Sequence, residues 1–479
     1  MILGQKWLQE HRAVLDYERA CIHWGTHTRQ TTHWDQAPNR GPTTSDSINF
    51  AGVKHGFQPP LDRRLATLLE TFGSTLADPA TPTTTASTTH RIRVTKTTPF
   101  RLPPYRHSPN KKKVIADEVE AMLAAQVIEP STSEYCSPIV IIQKKDGRPR
   151  FCIDYRRLNA ITKDESTNLP VIQETLRDLG TAKVFSSLDL KSGYWQVPLE
   201  TESRHLTAFS TPDGASYQFK VMPFGLKNAP ATFQKLMTQD VLAGYLRKFV
   251  MVYLDDIIIY SDSWDEHLKH LHLVLERLQR HKLRLSLEKC RFGVQTIQYL
   301  GHNITANGNR PCQEHIEAIR TADRPTSRKK LRSFLGLTNW LREYVPRCAE
   351  LQAPLDNLLT KNTPFRWTAA ADVAFSQLKA ALSKPLQLSR PDFATPFVLQ
   401  TDASENGIAA VLFQEPHPGE KKIISYASAK LNHAQRRYHI NEQECLAVVW
   451  AIKRYRPYLE DRRFTLKTDS RALLWLDRT

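Results

Sequence analysis

Two adjacent carboxylates, Asp255 and Asp256, interrupt the otherwise apolar run Phe249-Val-Met-Val-Tyr-Leu-Asp-Asp-Ile-Ile-Ile-Tyr260. A buried carboxylate without a partner is strongly unfavourable, so a chain that keeps two of them here must supply cations, and Mg²⁺ is the obvious choice. Asp189 repeats the anomaly in Val184-Phe-Ser-Ser-Leu-Asp189, where the strand pattern asks for an apolar residue. Two divalent ions bridging a triphosphate need carboxylates from separate strands, because neighbouring residues alone cannot surround both ions with oxygen. The plain alternative is that Asp255-Asp256 is an ordinary hairpin tip, and that stretch alone weighs the two readings evenly.

Other side chains fit the same chemistry. Lys144, Lys145, Arg148 and Arg150 crowd the turn in Gln143-Lys-Lys-Asp-Gly-Arg-Pro-Arg150. Lysine offers phosphate a point charge and arginine a bidentate fork, although a solvated loop explains the same residues. Tyr194 follows the turn at Ser192-Gly193 and could present its ring to a sugar; Phe224 and Gly225 lie in a loop that leads into a helix. His267, His270 and His272 have no acid or cysteine at ligand spacing and read as exposed helix histidines. Towards the C-terminus, Asp402 ends the apolar run Phe397-Val-Leu-Gln-Thr-Asp402, and Asp469 follows another at Phe464 to Lys467. Glu444 stands three residues after Asn441, where a capping box gives a glutamate a structural role.

The elements that must position these residues follow from periodicity. Flanks rich in β-branched residues around Asp189 and Asp255 suit strands buried on both faces. Ile139 to Gln143 and Arg150 to Ile153 read as a hairpin joined by the Asp-Gly turn. Ser108-Pro109 starts a helix with Val114, Ile115, Val119, Met122 and Leu123 on one face. Phe233, Leu236, Met237 and Val241 stripe a second, and Leu268, Leu271, Leu275 and Leu278 a third, which opens on Ser263-Trp-Asp-Glu266. Leu283, Leu285 and Leu287 alternate with polar residues as in a half-buried strand. Cys445, Val448, Val449 and Ile452 mark the buried face of the helix that carries Glu444.

At 479 residues the chain allows three or four domains at roughly 150 residues each. Its 66 Lys+Arg against 49 Asp+Glu give a net charge of +17, which favours a polyanionic partner such as nucleic acid. The 7 cysteines are scattered without a C-x-x-C pair or zinc spacing and read as reduced thiols of an intracellular protein. No apolar run approaches a membrane span. Residues 26–101 are rich in Thr, Pro, Ser and His, with a short possible helix at Leu61 to Phe72, and read as a mostly disordered linker.

Three motifs in register carry a resemblance. Leu188-Asp189-Leu190, Met222-Pro-Phe-Gly-Leu226 with Ala229-Pro-Ala-Thr-Phe-Gln234, and Tyr253-Leu-Asp-Asp256 are similar to the reverse transcriptases of gypsy-class long-terminal-repeat retrotransposons, over Pro104 to the C-terminus. The resemblance implies an α+β multidomain chain: a right-hand polymerase with fingers, ferredoxin-like palm and thumb, followed by a ribonuclease H-like α/β domain. It implies fingers and palm over 102–310, thumb and connection over 311–390, and the nuclease-like domain over 391–479. It also implies two Mg²⁺ per centre, with Mn²⁺ a possible substitute, held by Asp189, Asp255 and Asp256. Lys144 and Arg150 match triphosphate-binding positions, Tyr194 the residue that blocks a ribose 2′-OH, and Phe224-Gly225 the nucleotide-side loop. Gln298-Tyr-Leu-Gly-His302 resembles the hairpin that positions a primer. Expected partners are an RNA template, a DNA primer, RNA–DNA hybrid and dNTPs, within a cytoplasmic virus-like particle or the nucleus; the oligomeric state stays open.

Three strands, a helix and a strand bearing Asp402, Glu444 and Asp469 resemble the ribonuclease H fold, whose acids bind two divalent ions for phosphodiester hydrolysis. The conjunction of the two strand-end aspartates turns Glu444 from cap to ligand. That fold normally places a fourth acid on a later helix, whereas this sequence stops at Asp477-Arg-Thr479, so the domain is expected to be truncated and its cleavage weak. Residues 1–25, through Ile2-Leu-Gly-Gln-Lys-Trp-Leu8, resemble the last helix of retroviral-type aspartic proteases; with no Asp-Thr/Ser-Gly in the sequence, no proteolytic role is assigned. The competing expectation is an inactive or repurposed nucleic-acid-binding remnant.

Overall fold

The computed structural model describes residues 62–73, 84–85, 87–143, 147, 149–165, 170, 172–360, 364–384 and 386–470, together with the strand segments Val14–Asp16, Cys21–Trp24, Gln30–His33 and Lys54–His55. Two compact units divide the chain, Met1–Asn49 and Phe50–Thr479. In the first, the three named strands form an antiparallel sheet in sequence order, running past residue 25. The helical part of the protease-like motif lies outside the described residues.

The second unit is built around a five-stranded sheet ordered Val250–Tyr253, Asp256–Ser261, Val184–Asp189, Arg291–Val294 and Lys54–His55. The first four strands pair antiparallel and the last joins in parallel. Ile257, Ile258 and Ile259 are all fully buried. Alternate residues explain how: Ile257 and Ile259 enter the largest core with Val250, Val252 and Leu188, while Ile258 enters a second with Phe185, Met251 and Tyr260. Strict alternation is absent from the sequence because both faces are covered.

The helix Trp264–Arg280 packs against this sheet, its N-cap Ser263 Oγ accepting from Glu266 N–H. Its buried stripe is His267, Leu271, Val274, Leu275 and Leu278. His267 is thus fully buried rather than exposed, held by Ser186 Oγ at 2.7 Å and Ser261 Oγ at 3.0 Å. Burial pushes its imidazole down to about 3, so it remains neutral. His270 is half-buried and only His272 is exposed. Leu283 and Leu285 are buried as their alternation implies, yet the segment forms a single bridge, Leu190 to Leu285, followed by the 3₁₀ turn Leu287–Lys289. With one bridging residue the backbone is free to turn and bring Lys289 back to the sheet edge.

Within residues 26–101, the short helix expected near Leu61 to Phe72 is present, and other described residues of the range make backbone contacts to the domain that follows. Lys54–His55 extends the central sheet, and the helix Arg63–Thr71 buries Leu65 and Leu69 near Trp264–Arg280. Further on, Thr85 N–H donates to Gln196 C=O and His90 N–H to Pro198 C=O. The segment is short of apolar residues because it adds a few to a core built by others and contributes backbone hydrogen bonds besides.

Fingers strands Ile139–Gln143 and Pro149–Ile153 pair antiparallel, with Ile142 opposite Arg150. The helices Gln313–Arg320, Arg328–Trp340, Cys348–Asn357 and Ala369–Leu382 share a core of their own, from Ile319 to Leu388. The last module is a four-stranded sheet ordered Lys422–Lys430, Gly407–Gln414, Phe397–Ala403 and Phe464–Lys467, with the helix Ile440–Arg454 on one face. That helix is rotated from expectation: Gln443, Glu444, Ala447, Val448 and Ala451 are buried, whereas Val449 and Ile452 are exposed. The small residues Ala447 and Ala451 let it approach the sheet closely, a contact that a count of large apolar residues misses. Among the described residues, no helix is long and apolar enough to cross a membrane.

Candidate active sites

The central hairpin places its acids by register. Asp256 lies directly opposite Asp189 across the ladder, and Tyr253 pairs with Asp256 to close a two-residue turn of Leu254 and Asp255. Leu254 sits at φ +54, a left-handed conformation that costs a non-glycine residue roughly 1 kcal/mol. Gln234 compensates. Its buried side chain accepts from Leu254 N–H at 2.7 Å and donates to Val252 C=O at 3.2 Å, clamping the turn from the helix that follows the Phe224-Gly225 loop.

The three acids crowd one another. Asp255 Oδ1 is buried with no hydrogen-bond partner. Burial, then repulsion from Asp189 and Asp256, push its carboxyl from 3.8 to about 6. Asp256 moves up for the same two kinds of cause, burial first and then Asp189, although its outer edge is exposed. Asp189 accepts an ion pair from Lys289 Nζ at 3.2 Å. Nothing in the sequence pointed to Lys289, since its partner is 100 residues away. An orphaned carboxylate oxygen beside two further acids fits hard divalent cations.

A cavity of about 450 Å³ opens beside these acids, lined by Asp189, Asp255, Lys289, Arg150, Phe151, Gly193, Trp195 and Phe224 among others. Arg150 is exposed, with its guanidinium 5.6 Å from the Phe224 ring. Lys144, Lys145 and Arg148 lie outside the described residues. Tyr194 belongs to the wall's backing rather than its lining: it is 8 % exposed, with ring centroids 5.1 Å from Phe224 and 5.4 Å from Phe233. Burial and the charge of Asp255 push its phenol up to about 12. Gly225 turns the loop at φ +94, where Asn159 Nδ2 donates to its carbonyl at 2.8 Å and Asn159 Oδ1 accepts from Lys227 N–H at 2.9 Å. A second cavity of about 340 Å³ meets Asp189 and Asp256 and is bordered by Gln298, Tyr299, Leu300 and Gly301. These last residues form the tight hairpin between Thr296–Tyr299 and His302–Thr305.

The second centre also gathers three acids. Among the described residues, Asp402, Glu444 and Asp469 each offer a carboxylate oxygen, all within 4.8 Å of one another. Asp402 comes from the strand Phe397–Ala403, Asp469 follows the parallel neighbour Phe464–Lys467, and Glu444 projects from the helix. The capping box is made by His439 and Glu442, not by Asn441 and Glu444. Freed from that role, Glu444 is buried, accepts from Ala403 N–H at 3.2 Å through Oε1, and leaves Oε2 without a partner. Burial is the main force pushing its carboxyl up, and the nearby Asp469 and Asp402 add to it. The donor set again fits divalent cations. Asp402 is meanwhile engaged by Arg347 at 2.5 Å.

A palm sheet presenting three acids between two cavities, joined through a helical thumb to a nuclease-like sheet with its own three acids, defines a polymerase class with two metal-type centres. Comparison with known proteins agrees. Residues 142–304 match the family described as reverse transcriptase (RNA-dependent DNA polymerase), and 367–466 match the RNase H-like domain found in reverse transcriptase. The retrovirus-related Pol polyprotein from transposon 297 of Drosophila melanogaster is 38% identical over 81% of this chain and 36% of its own length. The transposon Tf2-3 polyprotein of Schizosaccharomyces pombe is 35% identical over 78% of this chain and 28% of its own. The chain spans about a third of the length of these curated relatives. In three dimensions it resembles the foamy viral protease-reverse transcriptase dRH in complex with double-stranded DNA, at TM-score 0.78, 24% identity and coverage of 87% and 73% of the two chains. It also resembles the foamy viral protease-reverse transcriptase in complex with RNA/DNA hybrid, at TM-score 0.72, 25% identity and coverage of 87% and 56%. The chain belongs to the reverse transcriptases of gypsy-class retrotransposon Pol polyproteins, with an RNase H-like domain following the polymerase.

Proposed function

We propose that this chain extends a DNA primer on an RNA or DNA template and carries an RNase H-like domain whose cleavage of RNA in the hybrid is weak. The observation that carries the polymerase reading is the register of Asp189 opposite Asp256, with the unpartnered Asp255 Oδ1 facing the same cluster at the mouth of a cavity. Asp189, Asp255 and Asp256 would hold two Mg²⁺. Bound there, such ions lower the pKa of a primer 3′-OH and stabilise charge on a triphosphate. Arg150, which lines the cavity, and Lys144 would bind phosphate oxygens. Phe224, backed by Tyr194, closes the cavity towards the sugar, and the Gln298–His302 hairpin supports the primer end beside Asp256. Exposed Lys329, Lys330 and Arg332 on one thumb helix suit contacts to a duplex backbone that do not depend on sequence.

In the nuclease-like centre, Asp402, Glu444 and Asp469 would hold the ions, and such ions supply an activated water and neutralise the scissile phosphate. The free thiols at Cys136, Cys290, Cys312 and Cys348 support work inside the cell, in the particle of the element or the nucleus. A primer-extension assay on the purified chain, with Mg²⁺ and separately with Mn²⁺, tests the reading. Template-directed DNA synthesis is expected with either ion. Binding of primer-template without any extension would leave a nucleic-acid-binding remnant as the function.

A further inference from the structure

The nuclease-like centre is engaged by a residue from another module. Arg347 initiates the thumb helix Cys348–Asn357, and its carbonyl accepts from Glu350 N–H and Leu351 N–H. It adopts φ +50, a left-handed conformation that a residue with a side chain avoids unless its surroundings hold it there. Those surroundings are nuclease residues. Ala349 N–H donates to Ser428 Oγ at 2.9 Å, Arg342 Nη2 donates to Ser428 C=O at 2.7 Å, and Lys430 Nζ donates to Asn357 Oδ1 at 3.0 Å. A Cβ on Gly407 would stand 3.2 Å from Glu350 Cγ, so the two surfaces meet closely.

From this seat the Arg347 guanidinium reaches Asp402 Oδ2 at 2.5 Å, and its Nε lies 3.6 Å from Glu350 Oε2. Glu350 is itself fixed by Ser404 Oγ, which donates to Oε1 at 2.8 Å, two residues beyond Asp402. The guanidinium therefore has two carboxylate partners, one of which belongs to the acid trio and one of which does not. A divalent ion shared by Asp402, Glu444 and Asp469 needs the Asp402 carboxylate and is repelled by a fixed positive charge on it.

We propose that Arg347 is an autoinhibitory plug: it occupies Asp402 while the thumb helix is docked, and it must release Asp402, keeping Glu350 as its one carboxylate partner, for divalent ions to bind the nuclease-like centre. Because the plug rides on a thumb helix, a displacement of the thumb reaches the nuclease centre through one ion pair. The pair is partly exposed, with side-chain exposures of 48% and 38%, so the plug is weak enough to be reversible.

The inference rests on reading the three acids as ion ligands, and one experiment separates the two claims. Mn²⁺ binding to the whole chain is followed by electron paramagnetic resonance in an Asp255→Asn/Asp256→Asn background, so that binding at the palm is removed. In that background Arg347→Ala is expected to bind Mn²⁺ about two- to fivefold more tightly, the range that loss of a partly exposed ion pair allows. Glu350→Gln removes the second partner and is expected to weaken binding. Circular dichroism confirms that each variant is folded, and Glu350→Gln, being nearly isosteric, keeps the test open if Arg347→Ala is not. Unchanged or weaker binding in Arg347→Ala overturns the plug, as does tighter binding in Glu350→Gln. In the same background Asp402→Asn must abolish Mn²⁺ binding; if binding persists, the ion-ligand reading of the trio fails instead.

Discussion

The palm and nuclease-like centres solve one electrostatic problem in two ways. In the palm, the three acids come from two paired strands and a two-residue turn, so backbone register alone brings them together, and Gln234 keeps the turn in its strained shape. In the nuclease-like sheet, two strand ends and a helix converge, and the oxygens stand within 4.8 Å. Each trio has one buried carboxylate oxygen without a partner, Asp255 Oδ1 and Glu444 Oε2, and each has one acid held by a cation, Lys289 on Asp189 and Arg347 on Asp402. The difference lies in where the cation comes from. Lys289 belongs to the palm's own edge, next to Cys290, whose thiol contacts the Asp189 backbone. Arg347 comes from the thumb and makes the second centre answer to a neighbouring module.

If the centres are chemically separate, single substitutions must split the activities. Asp255→Asn is expected to reduce primer extension by about 10³-fold or more, since loss of metal-supplied charge stabilisation is worth several kcal/mol. Primer-template affinity should change little. Glu444→Gln should do the converse, abolishing any cleavage of RNA in a hybrid while leaving extension within about twofold. Measured on one preparation, loss of both activities in either variant would break the comparison.

A smaller effect is expected at the clamp. Gln234→Leu keeps the volume but strips Leu254 N–H and Val252 C=O of their partners, a loss of about 1–3 kcal/mol for a buried unsatisfied group. Extension should fall about tenfold or more through kcat, with the KM for dNTP little moved, because the turn and not the cavity wall is loosened. Among the described residues, Gln234 touches nothing in the nuclease-like centre, so cleavage there should not respond. Tyr194→Ala acts on the wall instead: with the ring removed from behind Phe224, ribonucleotides should be incorporated more readily. Unchanged discrimination between dNTP and NTP would remove Tyr194 from that role.

The acids were legible because they violate a pattern. A charge inside an apolar strand stands out in one dimension, and Asp189, Asp255 and Asp256 all do so; the fold class and the order of the modules followed from the motifs around them. Residues that act on those acids from elsewhere carried no such mark. Gln234 looks like any polar residue of a helix, Lys289 like any lysine beside a turn, and Arg347 like one more basic residue in a chain with 66 of them. His267 is the instructive error. Its spacing of four from Leu271 and eight from Leu275 put it in the buried stripe, yet residue type was allowed to outweigh position. The residues that join the domain between 84 and 101 carried no mark for the opposite reason, since composition reports whether a stretch can build a core and not whether it can join one.

The smallest effect separates the centres by stability rather than rate. In the absence of ions the Asp255 carboxyl is raised from 3.8 to about 6, so the folded chain holds that proton more tightly than the unfolded chain does. The associated stability is present below the unfolded value and is lost as pH rises through about 6. Asp255→Asn cannot ionise and escapes that loss. Urea melts in chelator should therefore show the variant pulling ahead of the parent between pH 4.5 and 7.5, by about 1–2 kcal/mol once partial solvent screening is allowed for. Glu444→Gln should move in the same direction but less, because the Ala403 N–H and, to a smaller extent, the Arg347 charge already ease the ionised form of Glu444. Adding Mg²⁺ should close the gap at Asp255, since ions that bind only the folded parent restore what the repulsion removed. A gap that does not widen with pH would mean that Asp255 is solvated after all, and its orphaned oxygen would no longer argue for a cation.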